Sequence, residues 1–95
     1  MKEELIEKLR EDARIVMGWT VFKEDEKQEL EQSAYGLYTI AMMLKTFEDK
    51  KDTGTIVNLL QNILNRIEYI DFTEFEDRME QAKVKKDIRD VMFSL

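Results

Sequence analysis

Cysteine, histidine and proline are absent from this chain of 95 residues, and glycine occurs three times, as Gly18, Gly36 and Gly54. Without cysteine there is no disulfide, thiolate nucleophile or sulfur-held metal. Without histidine there is no Ser-His or Cys-His nucleophile pair, no imidazole-bound zinc and no Glu-x-x-His pair of a di-iron bundle. Three scattered glycines make no phosphate-cradling loop. The segment that opens "DKKDTG" also fails as a calcium loop, because Lys51 takes the third position and Leu60 the place of the bidentate glutamate.

Positive charge is scarce as well. Fifteen Lys and Arg stand against 21 Asp and Glu, for a net charge of −6. Phosphate neutralisation drives most nucleic-acid affinity, and basic residues drive docking on anionic lipid, so no nucleic-acid and no membrane partner is expected. The longest apolar stretch, "AYGLYTIAMML" from Ala34 to Leu44, is eleven residues, against the roughly 20 needed to cross a bilayer. The opening "MKEELIEKLRED" lacks the basic and apolar regions of a signal peptide, which predicts a cytoplasmic protein.

What is present describes a folded protein: 43% of residues are hydrophobic and 38% charged. The length suits one domain over residues 1–95. Much Glu, Lys, Leu, Ile and Met with few helix breakers predicts an all-α fold, a small antiparallel bundle of four to five helices.

The first helix is expected from Lys2 to about Met17, with Leu5, Ile6, Leu9, Ala13 and Val16 on one side and a stop near Gly18. A short strand within Arg14–Phe22 is the alternative there. In the preferred reading Trp19 and Phe22 fold back over the core. Asp25 with Gln28 has the spacing of an N-terminal capping pair, opening a helix to about Asp49. Leu30, Ala34, Leu37, Ala41 and Leu44 form its seam, with a second line of Gly36, Ile40, Met43 and Phe47. Tyr35, Tyr38 and Met42 make it apolar nearly all round, so cover on three sides is expected, with a close helix crossing at Gly36. "EDKKDTG" (Glu48–Gly54) reads as a loop. Thr53 or Thr55 then caps a third helix with core residues Ile56, Leu60, Ile63 and Ile67, flanked by Leu59 and Leu64. Asp71, Glu74 and an Ile70–Phe75 contact spell a capped start for the last helix. Its apolar stripe shifts phase from Phe75, Met79 and Ala82 to Val84, Ile88, Val91 and Leu95, which predicts a break near Lys83–Lys86.

One catalytic pattern survives the exclusions. "EELIE" supplies Glu3, Glu4 and Glu7, and the pairs Glu68/Asp71 and Glu74/Asp77 follow. In holding magnesium through such motifs, the all-α nucleotide pyrophosphohydrolases are similar. Their second motif lies about one helix onward, whereas some sixty residues intervene here. Acids at helix starts also favour the helix dipole, so no enzyme activity, cofactor or metal is expected.

Recognition is the better-supported class. "EDEKQELE" (Glu24–Glu31) and "EYIDFTEFEDRME" (Glu68–Glu80) become one negative surface if their helices start at the same end, with Glu24, Asp25, Glu29, Glu74 and Asp77 as contact residues. An amide stripe, Asn58, Gln61, Asn62 and Asn65, lies in a segment without charge, and amides pair across contacts at little desolvation cost. Tyr35, Gly36, Tyr38 and Met42 are the candidates for self-association as a homodimer. The cations Lys83, Lys85, Lys86 and Arg89 are too few and too flanked by acids for a DNA-reading helix. In size and acidic balance the chain is similar to small bacterial or phage-encoded helical proteins that bind another protein, such as bacteriocin immunity proteins and phage inhibitors of host functions. The expected function is a non-enzymatic interaction module, an inhibitor or regulator whose partner is another protein. A structural protein acting through its own oligomer is the alternative, and a magnesium-dependent hydrolase similar to the nucleotide pyrophosphohydrolases is the third reading, behind both.

Overall fold

The computed structural model describes residues 2–46 and 53–95. Four helices form an antiparallel all-α bundle: α1 (Lys2–Met17), α2 (Glu24–Thr46), α3 (Thr53–Glu68) and α4 (Phe75–Ser94). Each packs on its chain neighbours and α4 closes back on α1, so the helices form a ring with α2 and α4 diagonally opposed.

α1 buries Ile6, Leu9, Ala13 and Val16 as their spacing predicts. It ends as the amides of Gly18 and Trp19 donate to the carbonyls of Ile15 and Val16 at 3.0 and 3.2 Å. Trp19 covers the core, its ring edge-on to Phe72 at 5.0 Å. Phe22, expected beside it, is exposed. Val21 forms an isolated antiparallel bridge with Phe72 and packs on the core. Successive side chains of extended backbone point to opposite sides, which turns Phe22 outward. The strand alternative at Arg14–Phe22 reduces to that single bridge among the described residues.

α2 buries its whole seam of Leu30, Ala34, Leu37, Ala41 and Leu44. It opens two residues earlier than a cap at Asp25 implies. Lys27 N–H already donates to the Lys23 carbonyl, and the Asp25 carboxylate takes the Glu26 N–H at 3.0 Å instead of pairing with Gln28. Its expected end near Asp49, Phe47 and most of the following loop lie outside the described residues. α2 touches α1 and α3 but not α4, so it has cover on two sides, not three. Tyr35, Tyr38 and Met42 are consequently exposed. The close crossing at Gly36 is with α3 of the same chain: a Cβ there would lie 2.9 Å from Ile63 Cδ1. An alanine there would require the Ile63 terminal methyl to shift, which offsets part of the roughly 1 kcal/mol that glycine costs relative to alanine in a helix.

α3 opens at Thr53, which puts Thr55 inside the helix, and buries Ile56, Leu60, Ile63, Leu64 and Ile67. Of the two flanking leucines, Leu64 is buried and Leu59 is exposed. α4 departs most from expectation. It begins at Phe75, not at Asp71, with Glu74 extended before it and making no side-chain cap. Tertiary bonds have taken the groups a capping box needs: Asp71 N–H donates to Glu26 Oε2 and Thr73 N–H to the Thr20 carbonyl. Ile70 is buried but Phe75 is exposed, so they do not meet as a staple. No break occurs near Lys83–Lys86. The inward stripe runs Asp77, Gln81, Val84, Ile88, Val91 in one unbroken four-and-three spacing, and its first two members are polar. Phe75, Met79 and Ala82 belong to the outer side.

Candidate interaction surfaces

The connections before α2 and before α4 lie side by side and are knitted together. Thr73 donates to the Thr20 carbonyl through N–H at 3.1 Å and through its hydroxyl at 3.3 Å, and the two hydroxyls also bond. Thr20 N–H donates to Asp77 Oδ2 at 3.0 Å, and Asp71 N–H to Glu26 Oε2 at 3.0 Å. These contacts bring the starts of α2 and α4 to one end of the bundle, and with them the two acidic segments. Glu24, Asp25, Glu29 and Glu74 are exposed there, and none has an ion-pair partner among the described residues. Asp77 is turned inward onto Thr20 and holds the end together instead of facing solvent. Three large rings share this end. Phe22, Tyr69 and Phe75 are 70%, 85% and 74% exposed. No sequence signal separated them from core aromatics, because their exposure follows from long-range pairing of the two connections.

The amide stripe is exposed as expected, with Gln61 donating to Asn65 Oδ1 at 3.0 Å. Asn62 alone of the four lines a groove of about 200 Å³ between α2 and α3, together with Leu59, Ile63 and Arg66 from α3 and Gln32, Gly36, Thr39 and Ile40 from α2. Of the self-association candidates, Tyr35, Tyr38 and Met42 share the outward stripe of α2, whereas Gly36 belongs to the groove against Ile63.

The carboxylate pattern of the hydrolase alternative does not assemble. Glu3, Glu4 and Glu7 sit at the start of α1, while Asp77 sits beside Thr20, past its other end. The intervening 16-residue helix is roughly 24 Å long. Among the described residues no group of three or more acids is placed to hold a metal ion. A cavity of about 440 Å³ at the start of α1 mixes Glu3 and Glu7 with Lys2, Arg10 and Lys45.

A buried charged cluster was missed by sequence reasoning. Asp12 of α1 has no exposed surface, and Asp87 of α4 is buried beside it. Lys83 Nζ reaches Asp87 Oδ2 at 3.1 Å, Asp12 Oδ1 at 3.4 Å and Glu11 Oε1 at 3.6 Å. Burial, then the hydrogen bond and charge of Asp87, push the Asp12 carboxyl up to about 8, and Lys83 only partly opposes this. Partial burial works against the Lys83 ammonium, yet the bond to Asp87 and the surrounding acids raise it above its ordinary value. Burial thus favours the protonated form of Asp12 towards neutral pH. The available signal was the i, i+4 pair Lys83–Asp87 on the inner edge of α4, which an unbroken α4 brings into phase.

Compared with protein-family models, curated proteins and solved structures, the chain matches none of them.

Proposed function

We propose that this chain is a non-enzymatic protein-binding module, an inhibitor or regulator, that docks its acidic end on a positively charged surface of another protein. The observation that carries this reading is the convergence of unpaired acids with Phe22, Tyr69 and Phe75 at one end. Acids at helix starts are common, because the helix dipole favours them. Exposed rings among them are not accounted for by the dipole. Aromatic anchors supply most of the binding energy in protein interfaces, while complementary charge supplies orientation and speed of encounter. The inward carboxylates of Asp77 and Glu26 fix the two connections, so the surface is formed before a partner arrives, which lowers the ordering cost of binding.

The test is capture from a source-cell lysate on immobilised chain, compared with a Glu24→Lys/Asp25→Lys/Glu74→Lys variant and with Phe75→Ala. A basic protein held at about 0.1 M salt, released towards about 1 M, and lost on both variants is the expected result. A partner held equally well by the charge-reversed variant overturns the assignment of this surface. Turnover of a nucleoside triphosphate with magnesium, abolished by Glu4→Gln, overturns the non-enzymatic reading.

A further inference from the structure

We propose that two copies of this chain pair antiparallel through the outward stripe of α2: Glu31, Tyr35, Tyr38, Met42 and Lys45. This surface is separate from the acidic end and does not rest on its role. The four-and-three spacing of these residues places them on one line, and every one is exposed. Tyr35 is 69%, Tyr38 37% and Met42 64% exposed, with no helix over them among the described residues.

Charge singles out the occupant. Residues 32–44 contain no Asp, Glu, Lys or Arg, in a chain 38% charged. That is about 20 Å of helix without charge. Copies carrying −6 each repel one another, and this stripe, like the uncharged residues 53–65 of α3, lets them meet without setting like charges face to face. Opposite signs close its two ends. Glu31 and Lys45 each lie seven residues from Tyr38, and neither has an ion-pair partner among the described residues. A two-fold axis near Tyr38 therefore sets Glu31 of one copy against Lys45 of the other, twice over, from one self-complementary patch. Tyrosine and methionine are enriched in interface cores, from which charge is depleted. Gln32 and Thr39, beside the stripe, supply an uncharged polar rim.

The geometry also moves the pairing off Gly36, whose close approach is already taken by Ile63. In the antiparallel pair the two acidic ends point away from each other and both stay open. A single-helix stripe is smaller than a standard interface, so a Kd on the order of ten micromolar is expected.

Sedimentation equilibrium of the full chain up to about 200 µM, well above that Kd, decides it. A species of twice 11.4 kDa is expected. Glu31→Lys should weaken it about tenfold or more by facing Lys45 with a like charge, and Glu31→Lys/Lys45→Glu should restore it to within about twofold. Tyr35→Lys, also at an exposed position, should abolish it with circular dichroism unchanged. A species of 11.4 kDa alone at the highest concentration overturns the proposal and leaves the stripe for a foreign chain. So does a dimer that Glu31→Lys does not weaken, or one that the charge swap fails to restore.

Discussion

On one side α1 packs against α2, on the other against α4, and the two contacts are made of different material. For the contact with α2, α1 has Leu9, Ala13 and Val16 buried, and α2 has Leu30, Ala34, Leu37 and Ala41 buried. The alanines let the helices approach closely, and this is the most extensive contact in the bundle. From Ile6 to Val16 no ion pair joins α1 to α2 among the described residues. Towards α4 the contact is smaller, and charges line it: Lys8 with Asp90, and Lys83 with Glu11 and Asp12. Val84, Ile88 and Val91 supply the apolar share. Apolar burial is indifferent to pH, whereas a buried carboxylate pair is favourable in one protonation state and costly in the other. The α1–α2 contact is thus unconditional, and the hold of α4 on α1 depends on a proton.

Truncation on the apolar side should have the largest effect. Leu37 has no exposed surface, and Leu37→Ala is expected to cost about 2–5 kcal/mol in urea unfolding. A loss under about 1 kcal/mol would mean that the α2 seam collapses around the cavity, and the contrast with α4 would weaken.

The polar side should reveal itself in pH. Asp12 titrates near 8 in the folded chain, against about 3.9 unfolded. Between those values the folded state holds a proton that the unfolded state has released. The contribution of Asp12 to stability is therefore greatest below about pH 4, falls as pH rises, and levels off above about pH 8, whereas that of Asp90, lowered in the folded chain, is lost in acid. Lys83, raised in the folded chain, extends the loss only near its own titration, above about pH 10. A decline of about 1–3 kcal/mol from pH 5 to pH 9 is expected after relaxation around the site. Asp12→Asn should remove most of that slope and be more stable than the parent at pH 9. An equally steep decline in Asp12→Asn would assign the pH dependence to other groups.

The same contrast separates what was legible in the sequence from what was not. α1, the α2 seam and the α3 core announce themselves, because apolar residues at helical spacing mark an apolar contact. α4 was misread where its inner face is polar. Asp77 and Gln81 occupy core-facing positions, Gln81 donating to the Ile67 carbonyl at the end of α3, so the hydrophobic stripe changes phase while the helix is continuous. The acidic segments were visible, but their meeting depends on bonds between residues some fifty apart, Thr20 with Thr73 and Asp77. Local spacing does not encode such pairing. It overrode the capping signal at Asp71 and turned Phe22 and Phe75 from core to surface.

The smallest effect is expected at the exposed margin of the polar contact, and it tests whether charge there matters or only the buried proton. Lys8 Nζ lies 3.7 Å from Asp90 Oδ2, and both side chains are about two-fifths exposed. Asp90 also accepts from Lys86 at 3.0 Å, and that hydrogen bond is the main cause holding its carboxyl below the ordinary range. Removing Lys8 leaves Asp90 solvated and still paired, so Lys8→Met should cost no more than about 0.2–1 kcal/mol. The cost should shrink further between about 0.1 and 1 M salt, because solvent-exposed charges are screened over a few ångströms there. The pH slope set by Asp12 should survive in Lys8→Met, since the buried carboxyls do not depend on this pair. A loss above about 2 kcal/mol, unmoved by salt, would show that the margin carries the α1–α4 contact. The buried cluster would then be a tolerated cost within it and not its determinant.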